Sequence, residues 1–170
     1  QDTFYFAINR GQVECLKSLL ESDNGIETTP SSAFEQAIQC DNLACTRYFI
    51  EECGFELNAE VAKKAVRARG IKTLQYFINR GCPLDDQIVK EAIDGFKESV
   101  STNSKNTGFD ILMLLKRHGC PWNEENTEAI LKLKSCILPQ KREMYNEFLS
   151  ALIEDKVPGY TTITKKSFWC

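Results

Sequence analysis

The sequence predicts an all-α protein built from four to five stacked helix pairs, and three observations carry that prediction. A small residue followed by an aliphatic recurs as Ala7-Ile8, Ala37-Ile38, Ala65-Val66, Ala92-Ile93 and Ala129-Ile130, the first four 27 to 30 residues apart. An apolar segment begins nine residues after the alanine in three units, as "LKSLL" from Leu16, "TRYFI" from Thr46 and "LQYFI" from Leu74. The triplet Gly-Cys-Pro occurs twice, at 81–83 and 119–121, each time behind an apolar helical run. A two-helix unit of this size cannot bury both of its faces alone, so the units must stack. Alanine at the anchor lets neighbouring first helices approach closely.

The units span about 3–29, 30–57, 58–84, 85–122 and 123–156, which together form one repeat domain over 1–156. The first two are defined by their anchors and by the segments at Leu16 and Thr46. In the third, Val61, Ala62, Ala65 and Val66, then Leu74, Phe77 and Ile78, follow the 3, 4 spacing of an amphipathic helix. Asn58, Asp85 and Asn123 each precede a first helix and suit the N-cap, with Glu60, Asp86, Glu124 and Glu125 in the first turns. Gly81 and Gly119 suit a left-handed helix stop, and Pro83 and Pro121 follow two residues later. Leu84 and Trp122 come next and are expected to tuck under the neighbouring repeat as apolar plugs. In the fourth unit the second segment, "LMLLK", starts at Leu112, twenty residues past Ala92, which implies an insertion of about eleven residues. The fifth has "LSALI" from Leu149, again twenty residues past its alanine. Residues 157–170, "VPGYTTITKKSFWC", form a tail of different composition that is read as a cap on the last repeat or a linker.

These residues resemble the ankyrin repeat. "AINRGQVECLKSLL" (7–20) is similar to the family's inner-helix end, glycine turn and outer helix, and "GCPLD" (81–85) and "GCPWN" (119–123) stand where the family has Gly-Ala-Asp-Val-Asn. Glu14-Cys15-Leu16-Lys17 and Gly119-Cys120-Pro121-Trp122 are particularly similar to the divergent arrays of protists and large DNA viruses. The resemblance covers roughly residues 3–153 and implies a right-handed solenoid that binds another protein without catalysis. The Thr-Pro-Leu-His opening of the family is absent, and the period of 27 to 30 is shorter than the family's roughly 33. The missing residues fall where the family extends its β-hairpin fingers, so short or absent fingers are expected.

Composition excludes several functions. The net charge of −3 gives no global reason for nucleic-acid binding. The longest purely apolar run, Ile111 to Leu115, is far short of the roughly 20 residues that span a bilayer. The chain opens on Gln1 without a secretory signal, which suggests a processed product or a piece of a longer polypeptide. The eight cysteines contain no Cys-x-x-Cys pair, and His118 is the only histidine, so neither a metal nor a cofactor is expected. Several cysteines stand at apolar positions as small hydrophobes, which points to free thiols in a reducing compartment, cytoplasmic or nuclear. His118 beside a helix stop reads as a favourable interaction with the helix dipole.

Three stretches are candidates for partner binding by an otherwise monomeric chain. "KKAVRARGIK" (63–72) carries Lys64, Arg67 and Arg69, of which Lys64 and Arg67 would face a groove. "KESVSTNSKNT" (97–107) reads as a solvated insertion or as a recognition loop through Ser101, Asn103 and Lys105. The tail offers Phe168 and Trp169. Two other functions would rest on other features. A ubiquitin-ligase recognition subunit would use "CILPQKREMYNEFLSALI" (136–153) as an F-box-like segment, and a thiol-dependent enzyme would need an activated cysteine.

Overall fold

The computed structural model describes residues 2–22, 29–101, 107–159 and 161, and these form ten α-helices with no strand among them. Packing divides the chain into two compact units, Gln1–Pro83 and Leu84–Cys170.

The first unit holds three helix pairs: α1 (Asp2–Arg10) with α2 (Val13–Glu21), α3 (Pro30–Gln39) with α4 (Leu43–Glu51), and α5 (Ala59–Arg67) with α6 (Ile71–Asn79). The first helices make one row, α3 between α1 and α5, and the second helices another, α4 between α2 and α6. The same two main-chain bonds close the turn inside each pair. Gly11 N–H donates to the Ile8 carbonyl at 3.0 Å and Gln12 N–H to Ala7 at 2.9 Å. Asp41 and Asn42 repeat them to Ile38 and Ala37, and Arg69 and Gly70 to Val66 and Ala65. This helix stop needs one left-handed residue, and Gly11, Asp41 and Arg69 supply it at φ of 67°, 50° and 57°. The recurring Ala-aliphatic pair therefore also presents the carbonyls that end the first helix. Ala7, Ala37 and Ala65 are all buried, as close approach requires.

Helix starts follow local chemistry. The side chains of Thr29, Asn42 and Asn58 accept from the amides of Ser32, Cys45 and Val61 at 3.2, 3.1 and 3.0 Å. α6 begins at Gly70, which has no side chain to offer. Its Thr73 and Lys72 amides donate instead to the Asp41 carboxylate, at 2.8 and 3.3 Å. One pair's turn thus caps a helix of the next pair. Phe34, Phe49 and Phe55 form the aromatic centre of this unit, with ring centroids 4.8 to 5.6 Å apart.

The Gly-Cys-Pro repeat has a physical cause. Gly81 takes φ 76° and Cys82 N–H donates to Phe77 at 3.0 Å, which ends α6. The Cys82 thiol then reaches the main-chain oxygen of Asn58, the N-cap of α5, at 3.4 Å. In the second unit, Gly119 (φ 67°) and Cys120 end the helix in the same way, and the Cys120 thiol reaches the Asp85 carbonyl at 3.4 Å. In both cases the thiol joins the end of a pair's second helix to the start of its first. Pro83 and Pro121 are exposed, and Leu84 is half-buried.

The second unit contains α7 (Asp86–Ser101), α8 (Thr107–Arg117), α9 (Glu124–Lys132), two short 3₁₀ turns (Leu133–Cys136 and Pro139–Lys141) and α10 (Arg142–Glu154). Asp85 and Asn123 accept from Ile88 and Asn126 amides at 2.9 and 2.8 Å, as N-caps should. The expected eleven-residue loop is not what lengthens the fourth unit. Lys97 to Ser101 continue α7, Val100 is fully buried, and Thr107 already belongs to α8. The Ser99 hydroxyl donates back to the Phe96 carbonyl at 2.8 Å, so a polar residue sits in the helix without an orphaned group. The Leu138 amide donates to the Val100 carbonyl at 3.1 Å, which ties the second 3₁₀ turn to the end of α7. Ala92 is buried like the earlier anchors, whereas Ala129 is only half-buried. The core gathers on Phe96, Phe109 and Phe148, with centroids 6.1 to 6.3 Å apart.

Candidate functional site

Within the first unit, α3 and α5 enclose a groove of about 290 Å³. It is lined by the apolar Phe34, Ile38, Phe55 and Val61 and by the polar Ser31, Glu35, Glu56, Asn58 and Lys64. Phe34 and Ile38 are buried in the core, while Phe55, in the segment between α4 and α5, stays half-exposed. The Lys64 ammonium pairs with Glu35 across the rim, with side chains 42% and 55% exposed. An ion pair this exposed contributes at most about 1 kcal/mol, so an incoming charged group can take either partner. The groove therefore combines an apolar floor with an exchangeable Lys64–Glu35 pair and a further carboxylate, Glu56.

The other residues of the basic stretch do not all join it. Arg67 is exposed in the last turn of α5, one turn from Lys64. Arg69 is the left-handed residue of the α5–α6 turn and is half-buried. Lys63 pairs with Glu60 at 3.0 Å on its own helix, and Lys72 lies on α6. Ser101 closes α7, and Asn103, Lys105, Phe168 and Trp169 lie outside the described residues.

A second polar cluster was not anticipated from the sequence. On α4 and α6, Glu51 accepts from the Tyr76 hydroxyl at 2.9 Å and pairs with Arg80 at 3.0 Å and Arg47 at 3.4 Å. The Tyr76 hydroxyl, and then Arg47 and Arg80, hold the Glu51 carboxyl below its ordinary range. The guanidinium groups of Arg47 and Arg80 sit 5.9 and 5.6 Å from the Tyr76 ring centre. Glu51 and Arg80 are 29 residues apart, one repeat length, and that spacing is the signal that could have paired them.

The remaining candidates occupy structural positions. Trp122 donates from its indole N–H to the Thr127 hydroxyl at 2.9 Å and packs on Phe148 at 6.0 Å. Thr127 in turn donates to the Pro158 carbonyl at 2.6 Å, so the first residues of the tail lie on α9. In the 136–153 stretch, Tyr145, Phe148, Leu149 and Leu152 are buried within the second unit, and the Tyr145 hydroxyl donates to the Ile130 carbonyl at 2.9 Å. His118 is exposed just past the end of α8. Burial pushes the thiols of Cys45 and Cys82 up to about 11, and burial with the nearby charges of Asp85 and Asp86 pushes Cys120 to about 12. Such thiols stay protonated at neutral pH and are poor nucleophiles. Among the described residues no three His, Cys, Asp or Glu side chains gather as a metal site, and no helix is long and apolar enough to cross a membrane. The chain matches no family profile, no curated protein and no solved structure.

Proposed function

We propose that this chain is a non-catalytic protein-interaction scaffold of divergent ankyrin type, working in a reducing intracellular compartment, and that it binds its partner in the α3–α5 groove. One observation carries the reading: three successive pairs use the same turn bonds at Ala7, Ala37 and Ala65, which sets their first helices in a row with a groove between them. A row of this kind fixes side chains on rigid elements, and exposed residues can then select a partner. Connections without strands among the described residues, such as Glu52–Asn58, suit an array with short or absent fingers and favour the groove over finger tips as the binding surface.

The test is a capture experiment under reducing conditions with three forms of the chain: unaltered, Lys64→Glu with Arg67→Glu, and lacking 102–106. Circular dichroism checks that each is folded. A partner retained by the unaltered form and by the form lacking 102–106, and lost on charge reversal, supports the groove, as does steep weakening with salt. A partner that ignores the reversal removes the groove as the site, and absence of any saturable partner removes the scaffold reading.

A further inference from the structure

The repeat register allows the three pairs of the first unit to be compared residue by residue. Counted from the anchors Ala7, Ala37 and Ala65, Cys15 matches Cys45 and Thr73, and Leu19 matches Phe49 and Phe77. In the second and third pairs these positions are sealed: Cys45, Thr73, Phe49 and Phe77 are all 0% exposed. Each of these pairs has a preceding pair packed on it, α3 on α1 and α4 on α2, then α5 on α3 and α6 on α4; the Cys45 thiol lies 3.9 Å from the Ile8 carbonyl, while Phe49 is also covered by Phe34 and Phe55. In the first pair the same face is open. Cys15 is exposed, Phe6 is 54% exposed, and with Thr3, Ala7, Gln12 and Leu19 they line a hollow of about 430 Å³. A terminal repeat that ends an array presents a polar outer face. This one presents Phe6, Cys15 and Leu19, the chemistry of an interior repeat.

A second, independent observation concerns the start of α2. Gln12 does not cap it, just as Gly70 does not cap α6. The α6 amides are satisfied by Asp41 from the turn of the preceding pair. Among the described residues no side chain does this for the first-turn amides of α2, Glu14 and Cys15. The face left open here is covered in both later pairs, and the missing cap is supplied to α6 by the preceding pair's Asp41, whereas α4 is capped by its own Asn42.

We infer that the α1–α2 face is a docking surface for one further helix pair of the same build, joined ahead of α1 in the same polypeptide. Its turn supplies an oxygen to the start of α2. Glu14 stands where α6 has Lys72, so that oxygen comes from an uncharged Asn, Ser or Thr rather than from an acid such as Asp41. Its second helix covers Cys15 and Leu19 with apolar side chains.

The experiment extends the chain with such a pair. A copy of residues 29–58 carrying Asp41→Asn, placed directly ahead of Gln1, keeps the 28-residue register that separates Ala37 from Ala65. Alkylation of Cys15 by iodoacetamide, followed by peptide mass spectrometry, is compared in the native and extended chains. The inference expects Cys15 labelling to slow at least tenfold, toward the rate of Cys45, with a rise in melting temperature. Leu19→Glu in the extended chain should restore the labelling. Unchanged labelling in an extended chain whose added helices are folded by circular dichroism overturns it. So does a native chain that self-associates in light scattering, protects Cys15 as it does, and becomes monomeric on Phe6→Glu, because the occupant is then a second copy.

Discussion

At Cys82 and Cys120 a thiol donates to the carbonyl of a helix N-cap residue, which already accepts from its own helix, while filling an apolar turn. The sequence reveals only half of this. The repetition of Gly-Cys-Pro and the left-handed glycine are legible from local chemistry. The thiol's acceptor is not, because it lies 24 residues away from Cys82 and 35 from Cys120. These thiols also give the chain a pH response. The values of Cys45, Cys82 and Cys120 rise from an ordinary 9.0 to about 11, 11 and 12, and burial raises Tyr145 from 10.0 to about 12. Each group keeps its proton in the folded chain and releases it earlier in the unfolded one. Their stabilisation is therefore complete below pH 9 and is lost as pH climbs toward 12. Urea midpoints should be level between about pH 6 and 8 and fall above about 9, less steeply in Cys120→Ala. A midpoint independent of pH up to about 11 would contradict the burial of these groups.

Among the elements, α7 departs most from the reading of the sequence. "KESVS" carries a single aliphatic, so its period gives no helical signal. What holds it in a helix is tertiary: Val100 is buried, and its carbonyl is engaged by Leu138, 38 residues on. The cap residues Asn58, Asp85 and Asn123 were legible because capping depends on a few adjacent residues. The Glu51–Tyr76–Arg80 cluster was less so, since it needs the register between pairs. α7 meets α8 backbone to backbone at Gly108, where an added Cβ would stand 2.7 Å from the Phe96 Cα and 2.8 Å from the Gly95 carbonyl oxygen. The contact leaves no room for a methyl group, so Gly108→Ala should destabilise by about 1 to 3 kcal/mol. Urea denaturation reads this directly, with Gly95→Ala, which meets nothing within 4 Å, as the contrasting control. A Gly108→Ala chain as stable as the parent would mean that α7 and α8 are not in this contact.

At the level of the whole molecule, the repetition in the sequence recovers the helix pairs but blurs toward the C-terminus. Three pairs share one turn geometry; the later helices are longer or interrupted, and Ala129 no longer sits in a tight approach. The tail is the last piece of this organisation. Val157 N–H donates to Leu152 at 3.3 Å, Pro158 accepts from Thr127, and Gly159 lies against the Thr127 side chain. Removing 157–170 leaves the buried Thr127 hydroxyl without that acceptor, at a cost of about 1 kcal/mol. For a chain of this size the melting temperature should fall by about 2 to 4 °C in a thermal scan. An unchanged transition would show that the tail adds nothing to the fold.

The turn shared by the first three pairs bears on how such a chain can change over time. Its defining bonds run between main-chain atoms, and the left-handed position is filled by glycine, aspartate and arginine in turn. The two non-glycine residues accept a backbone strain of about 1 to 2 kcal/mol there. Asp41 offsets it by capping the next pair, whereas Gly11 has no side chain with which to do so. Because the scaffold is specified by the backbone, side chains at these corners can drift in charge, size and polarity while the helices stay in place. Lineages descended from one such sequence could keep the frame and exchange its surface, and they would soon share little that a residue-by-residue comparison could detect.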